Sequence, residues 1–227
     1  MKTITLYILA LSSLLLSGCS QKIQDVSATF NETAFGIDDV ELSAEHINSL
    51  PYASAFVKIN DGATIFMVLA LAEPNPITGV IQLKWMSSDN AMIVTENGRI
   101  VKTLALPHHN LAQLQNTTQL TPSVQPDFAT LLAKQTSWQA TYDWMPNYHY
   151  GYQATVTPLI GQKSVLTSPI WEKDVTSLNE YISFPALDAQ FTNQYWIDDK
   201  GRVAKSIQFL GPEMGTIEML ILKPFQS

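Results

Sequence analysis

The sequence predicts a mainly β domain, an antiparallel barrel-like or sandwich sheet with one or two short helices. Three observations lead there. About ten runs rich in β-branched and aromatic residues recur at roughly 8–12-residue spacing, separated by Asn, Asp, Gly and Pro clusters. Two adjacent runs alternate strictly between apolar and polar residues, the period of a strand with one buried face. Only two short windows read as helix, and no repeat of fixed period is visible.

In chain order, residues 21–31 are polar and aperiodic and read as a tether. Residues 39–50 have room for one short helix, with Ser43 as N-cap and Pro51 barring continuation. Strands are predicted at 53–59 and 63–71, joined by the hairpin signal Asn60-Asp61-Gly62. Residues 65–69 are apolar on both faces, which indicates a covered strand. After the loop Glu73-Pro74-Asn75-Pro76, residues 80–86 alternate, with Ile81, Leu83 and Trp85 on one face. Strands at 91–95 and 99–106 meet at Glu96-Asn97-Gly98. Residues 107–126 are rich in Gln, Asn and Thr and read as the longest irregular stretch, a loop or boundary. Residues 127–135 suit a second helix with Phe128, Leu131 and Leu132 inward.

An aromatic hairpin follows. Trp138, Ala140, Tyr142 and Trp144 share one face of its first strand, and Tyr148, Tyr150, Tyr152, Ala154 and Val156 form the matching stripe. With Met145-Pro146-Asn147 as the loop, Trp144 should pair with Tyr148 and Tyr142 with Tyr150. The stripe reads either as the core face or as a platform on which sugar rings stack. Further strands are predicted at 163–166, 175–184, 191–198, 202–210 and 216–222, with turns at Asp199-Lys200-Gly201 and Gly211-Pro212-Glu213.

The N-terminus carries a processing signal. Lys2 precedes a mostly apolar run over 4–16, too short for a permanent span of about 20 residues but suited to a secretory leader. Leu16-Ser17-Gly18-Cys19 resembles a bacterial lipobox, so Cys19, the only cysteine, is the predicted acceptor of S-diacylglycerol and N-acyl chains. Ser20, where an Asp would favour inner-membrane retention, argues for the outer membrane, and the periplasmic face is expected. The organisation is then a leader at 1–18, a tether at 19–31 and a β-rich domain at 32–227.

Without the leader and its one lysine, twelve basic residues face twenty acidic ones, a net charge of −8. That opposes nucleic-acid binding. No nucleophile elbow, phosphate loop or zinc motif occurs, and no cofactor or metal site is predicted. Ser88-Asp89-Asn90 matches one box of penicillin-recognising enzymes without its companions, and reads as a turn. His108-His109 reads as a solvated loop, and His149 as a surface residue. Arg99 and Lys102 read as solvated strand positions or as contacts to an anionic glycan. Paired carboxylates for glycoside cleavage could arise from any two acids that meet in space.

Several segments together resemble the YjbF/GfcB family of lipoproteins encoded with group 4 capsule and related exopolysaccharide loci. They are Leu50-Pro51-Tyr52-Ala53-Ser54, Leu69-Ala70, Leu83-Lys84-Trp85 with Asp89, and Thr95-Glu96-Asn97-Gly98-Arg99-Ile100-Val101-Lys102-Thr103. Others are Asn193-Gln194-Tyr195-Trp196-Ile197-Asp198 with Gly201-Arg202-Val203, Ser206-Ile207-Gln208-Phe209-Leu210-Gly211-Pro212, and Ile221-Leu222-Lys223-Pro224. Residues 106–193 match loosely. The resemblance implies a barrel-like fold, an outer-membrane lipoprotein and a part in polysaccharide secretion, with no catalytic residues to carry over. The expected function is a non-enzymatic accessory factor in capsule or exopolysaccharide assembly and secretion. Its partners would be the outer membrane through the lipid, polysaccharide, and proteins of the export machinery. The alternative is a periplasmic glycan hydrolase. Candidate glycan contacts are Trp144, Tyr148, Tyr150 and Arg99.

Overall fold

The computed structural model describes residues 41–119 and 122–226; the leader, Cys19 and the 19–31 tether lie outside them. Ser43 caps helix α1 (Ala44–Ser49), its hydroxyl accepting from the His46 N–H at 3.2 Å. The chain then runs as a meander: β1 (Ser54–Ile59), β2 (Ile65–Pro74), β3 (Ile81–Met86), β4 (Met92–Glu96), β5 (Arg99–Leu104) and β6 (Asn110–Asn116). Helix α2 (Phe128–Ala133) precedes β7 (Trp138–Met145), β8 (His149–Thr167), β9 (Glu172–Phe184), β10 (Ala189–Asp198), β11 (Val203–Phe209) and β12 (Thr216–Lys223).

These twelve strands form one antiparallel sheet in the order β5-β4-β3-β2-β1-β12-β11-β10-β9-β8-β7-β6. Chain neighbours pair throughout except β5 and β6, and β12 returns to pair with β1. The sheet thus curls into a nearly closed up-and-down barrel, which leaves only one pair of edges to manage.

Side chains clasp that seam. The Thr103 hydroxyl on β5 accepts from the Leu111 N–H on β6 at 2.9 Å and donates to Asn110 Oδ1 at 3.2 Å. Asn110 also bonds both the N–H and the carbonyl of Leu106, each at 3.1 Å. Thr103→Val keeps the volume but orphans the buried Leu111 N–H. It should cost about 1–3 kcal/mol in denaturant unfolding, with hydrogen exchange rising first along β5 and β6.

The inward face of the barrel is the core. Met67, Trp85, Ile93, Ala140, Tyr142, Ile182 and Ile217 meet there. β2 is covered on both sides, as its sequence predicts: Met67 faces inward while Phe66 and Val68 are buried on the other face. A smaller cluster of Phe128, Leu131, Leu178, Tyr195 and Ile197 packs α2 against the barrel.

Three expectations need correction. The 107–126 stretch contains a strand, β6, and 163–166 is not separate but part of β8; the gain and the merger offset each other, and the described residues hold twelve strands. In β6 a bulge between Leu111 and Gln113 breaks the two-residue period, placing Leu111 and Leu114 inward three residues apart. The aromatic hairpin is also out of the expected register. Trp144 pairs with His149 and Tyr142 with Tyr152. Asp143 opposes both Tyr150 and Gly151, and Gly151 takes φ +73° while its N–H donates to Asp143 Oδ1 at 2.6 Å. That extra residue turns Tyr150 outward.

Candidate functional site

Two features at one end of the barrel have the geometry of a site, and a third lies at the other. The first end carries α2, the Asn97-Gly98 and Asp199-Lys200-Gly201 turns, and the junction of α1 with β1.

Just inside it sits a buried ion pair. Arg99 begins β5 directly after Gly98, and Glu180 is the inward residue of β9 between Leu178 and Ile182. Arg99 Nε donates to both Glu180 carboxylate oxygens at 3.2 Å and Nη2 to Oε1 at 2.6 Å. Nη1 donates to the Pro126 carbonyl at 2.5 Å. The guanidinium lies 4.1 Å from the centre of the Phe128 ring, with Trp138 and Tyr195 at 5.5 and 5.9 Å. Arg99 and Glu180 are 1% and 2% exposed. Burial alone would lower the Arg99 pKa, but the charge and hydrogen bonds of Glu180 outweigh it and hold the guanidinium above its usual value. Burial, then the Glu180 charge, push the phenols of Tyr195 and Tyr142 well above the normal tyrosine range.

A polar chain extends from this pair along β11. Gln208 Oε1 accepts from the Ile100 N–H at 2.9 Å and from the Tyr195 hydroxyl at 3.2 Å. Gln208 Nε2 donates to the Gly98 carbonyl at 3.1 Å and to Ser206 at 2.9 Å. The charges are therefore enclosed, paired and built into the closure of the barrel.

The second feature is an open cavity of about 340 Å³ at the same end, lined by Ile81, Leu83, Trp85, Met219, Ile221 and Phe225, with the Asn97-Gly98 turn and α2 at its rim. The Trp85 indole is part of the lining and is held by a 3.0 Å bond from Nε1 to the Thr95 hydroxyl.

The third is the aromatic hairpin at the opposite end. Trp144 is 5% exposed and stacks on His149 with ring centres 4.9 Å apart and planes within 9°. Tyr148 and Tyr150 project into solvent, 72% and 56% exposed, with ring centres 6.3 Å apart.

The four predicted glycan contacts are thus separated. Arg99 is neither a solvated strand position nor a surface contact, because it faces inward and is spent on Glu180; Lys102, three residues on, is exposed. Trp144 is likewise withdrawn into the core. Tyr148 and Tyr150 alone are presented to a ligand. His149 is half-buried against Trp144 rather than a plain surface residue. Ser88-Asp89-Asn90 forms the β3–β4 turn, and His108 lies exposed in the β5–β6 loop. Glu180 escaped the sequence reading, although a lone acid in the apolar series Leu178, Ile182, Phe184 is the signal of a buried charge with a partner.

This is an up-and-down barrel with a sealed charged core, an apolar mouth and exposed tyrosines at its far end. The fold is similar to that of the crystal structure of the hypothetical lipoprotein YmcC from Escherichia coli K12, with a TM-score of 0.73, 25% identity, and 93% of this chain and 100% of that one covered. Residues 27–222 match the family described as group 4 capsule polysaccharide lipoprotein GfcB, YjbF. Relatives from E. coli K12 are the uncharacterized lipoproteins GfcB, 32% identical over 96% of this chain and 97% of its own, and YjbF, 31% identical over 95% and 96%. The chain belongs to the YjbF family of group 4 capsule polysaccharide lipoproteins.

Proposed function

We propose that this protein is an outer-membrane lipoprotein, acylated at Cys19, that acts as a non-enzymatic accessory factor in capsule or exopolysaccharide assembly and secretion. The family match across 27–222 carries the reading. The leader and its Leu16-Ser17-Gly18-Cys19 junction support the anchor, and Ser20 supports outer-membrane sorting. The accessory role draws support from the way the most reactive-looking pair, Arg99 and Glu180, is consumed by mutual bonding. The proposed partners are the exported polysaccharide and proteins of its export machinery.

On this reading Tyr148 and Tyr150 form a stacking platform for sugar rings. Purified protein should bind its cognate polysaccharide without changing chain length in gel filtration. Tyr148→Ala with Tyr150→Ala should weaken that binding by about tenfold while leaving unfolding unchanged. A shortened glycan would instead favour the hydrolase, and undiminished binding by the double variant would remove the platform.

A further inference from the structure

The cavity at the α2 end is lined in part by the core residues Trp85 and Met219. Much of its wall is hydrocarbon: Ile81, Leu83, Trp85, Met219 and Ile221 line it, and Phe225 stands at the rim. Ile81 is 43% exposed and Phe225 36%, apolar surface left open at a mouth. Four of the five polar side chains of the wall are already committed, Asn97 at the turn being the fifth. Thr95 holds Trp85, Ser206 accepts from Gln208, Arg202 pairs with Asp198 at 2.8 Å, and Asp127 caps α2 through the Thr130 N–H at 2.7 Å. A site that reads sugar hydroxyls needs free polar groups, whereas a site for a hydrocarbon chain does not.

The position of the mouth names a source for such a chain. The described domain starts at residue 41, and Lys223, beside Pro224 and Phe225 of the mouth, donates to the carbonyls of Asn48 and Leu50 at the end of α1. The chain therefore enters the barrel beside this cavity. From Cys19 to residue 41 an extended chain spans at most about 75 Å.

We propose that the cavity holds one acyl chain of a phospholipid from the membrane on which the protein is anchored, an inference that rests on Cys19 carrying a lipid. A bilayer phospholipid is favoured over the anchor itself. Each buried methylene holds the anchor by about 0.8 kcal/mol, so withdrawing one of its three chains weakens the attachment even though two remain. The net charge of −8 favours a zwitterionic over an anionic lipid.

The test reads Trp85. Acylated full-length protein is placed in nanodiscs of phosphatidylcholine brominated on one acyl chain, and in unbrominated discs. The Trp85 share of fluorescence is the difference between wild type and Trp85→Phe. Bromine quenches indole on contact, so the brominated discs should remove most of that share. Ile221→Glu, checked for folding by circular dichroism, should restore it. Equal Trp85 emission in both discs would overturn the proposal, whether the cavity is empty or filled by the anchor's own unbrominated chain. Displacement by a soluble fragment of the polysaccharide would also overturn it. Intact mass tests acylation separately. Should Cys19 prove unmodified, the anchor reading fails by itself. Cys19→Ala protein titrated with a short-chain phosphatidylcholine brominated on one acyl chain then reads the cavity alone, and absent or unsaturable quenching of Trp85 sinks the inference.

Discussion

Replacing Glu180 with Leu is expected to destabilise the barrel by about 3–5 kcal/mol, because it strands a buried guanidinium without its counter-charge. Arg99 cannot shed its proton, and its side chain is 1% exposed, so no water reaches it in compensation. In a domain of this size the melting temperature should fall by roughly 10 °C. Arg99→Met costs less, since a stranded carboxyl can protonate. The double variant Arg99→Met with Glu180→Leu should recover most of the loss, since methionine can lie against Phe128, Trp138 and Tyr195 as the guanidinium does. A double-mutant cycle by urea unfolding reads the coupling. Single variants within about 1 kcal/mol of wild type would mean that the pair is not the tie between β5 and β9 described above.

The second large effect is expected at Gly98. It holds φ +90° in the β4–β5 turn, beside Asn97 at φ +50°. A Cβ there would stand 2.6 Å from both Cβ and Cγ2 of Val203 on β11. Two costs therefore add: a left-handed backbone for an L-residue, and a clash with a side chain that cannot retreat. Gly98→Ala should lose about 3 kcal/mol. Gly79 separates the two terms, since it holds φ +75° with no atom within 4 Å of an added Cβ. Gly79→Ala should cost only the backbone part, about 1–2 kcal/mol. Equal losses at the two sites would show that β11 yields freely to the turn. The Gly98 carbonyl also holds Gln208, so the variant should loosen the polar chain that leads to Tyr195.

The turns were the most legible part of this sequence. Asn60-Asp61-Gly62, Asn97-Gly98 and Asp199-Lys200-Gly201 each join paired strands, with Asn60, Asn97, Gly98 and Gly201 at positive φ. Turn chemistry is local, so it survives without knowledge of the fold. Bulges defeated the same reasoning. At Leu111–Gln113 and at Tyr150–Gly151 one added residue reverses the faces, so a strict two-residue period hid β6 and misplaced the tyrosines. Arg99 was visible only as a charge on a strand, because its partner lies 81 residues away in sequence and no local pattern joins them. The seam between β5 and β6 was equally invisible, being made by Thr103 and Asn110 side chains rather than by a ladder.

The central claim is that a lipid-anchored barrel assists polysaccharide to leave the cell, and one measurement addresses it directly. Surface and secreted polysaccharide are quantified in a strain lacking this protein and in the same strain complemented with wild type or with Cys19→Ala. The deletion should lower the exported polymer, wild type should restore it, and Cys19→Ala, which cannot be acylated, should not. Unchanged polysaccharide in the deletion strain would contradict the claim.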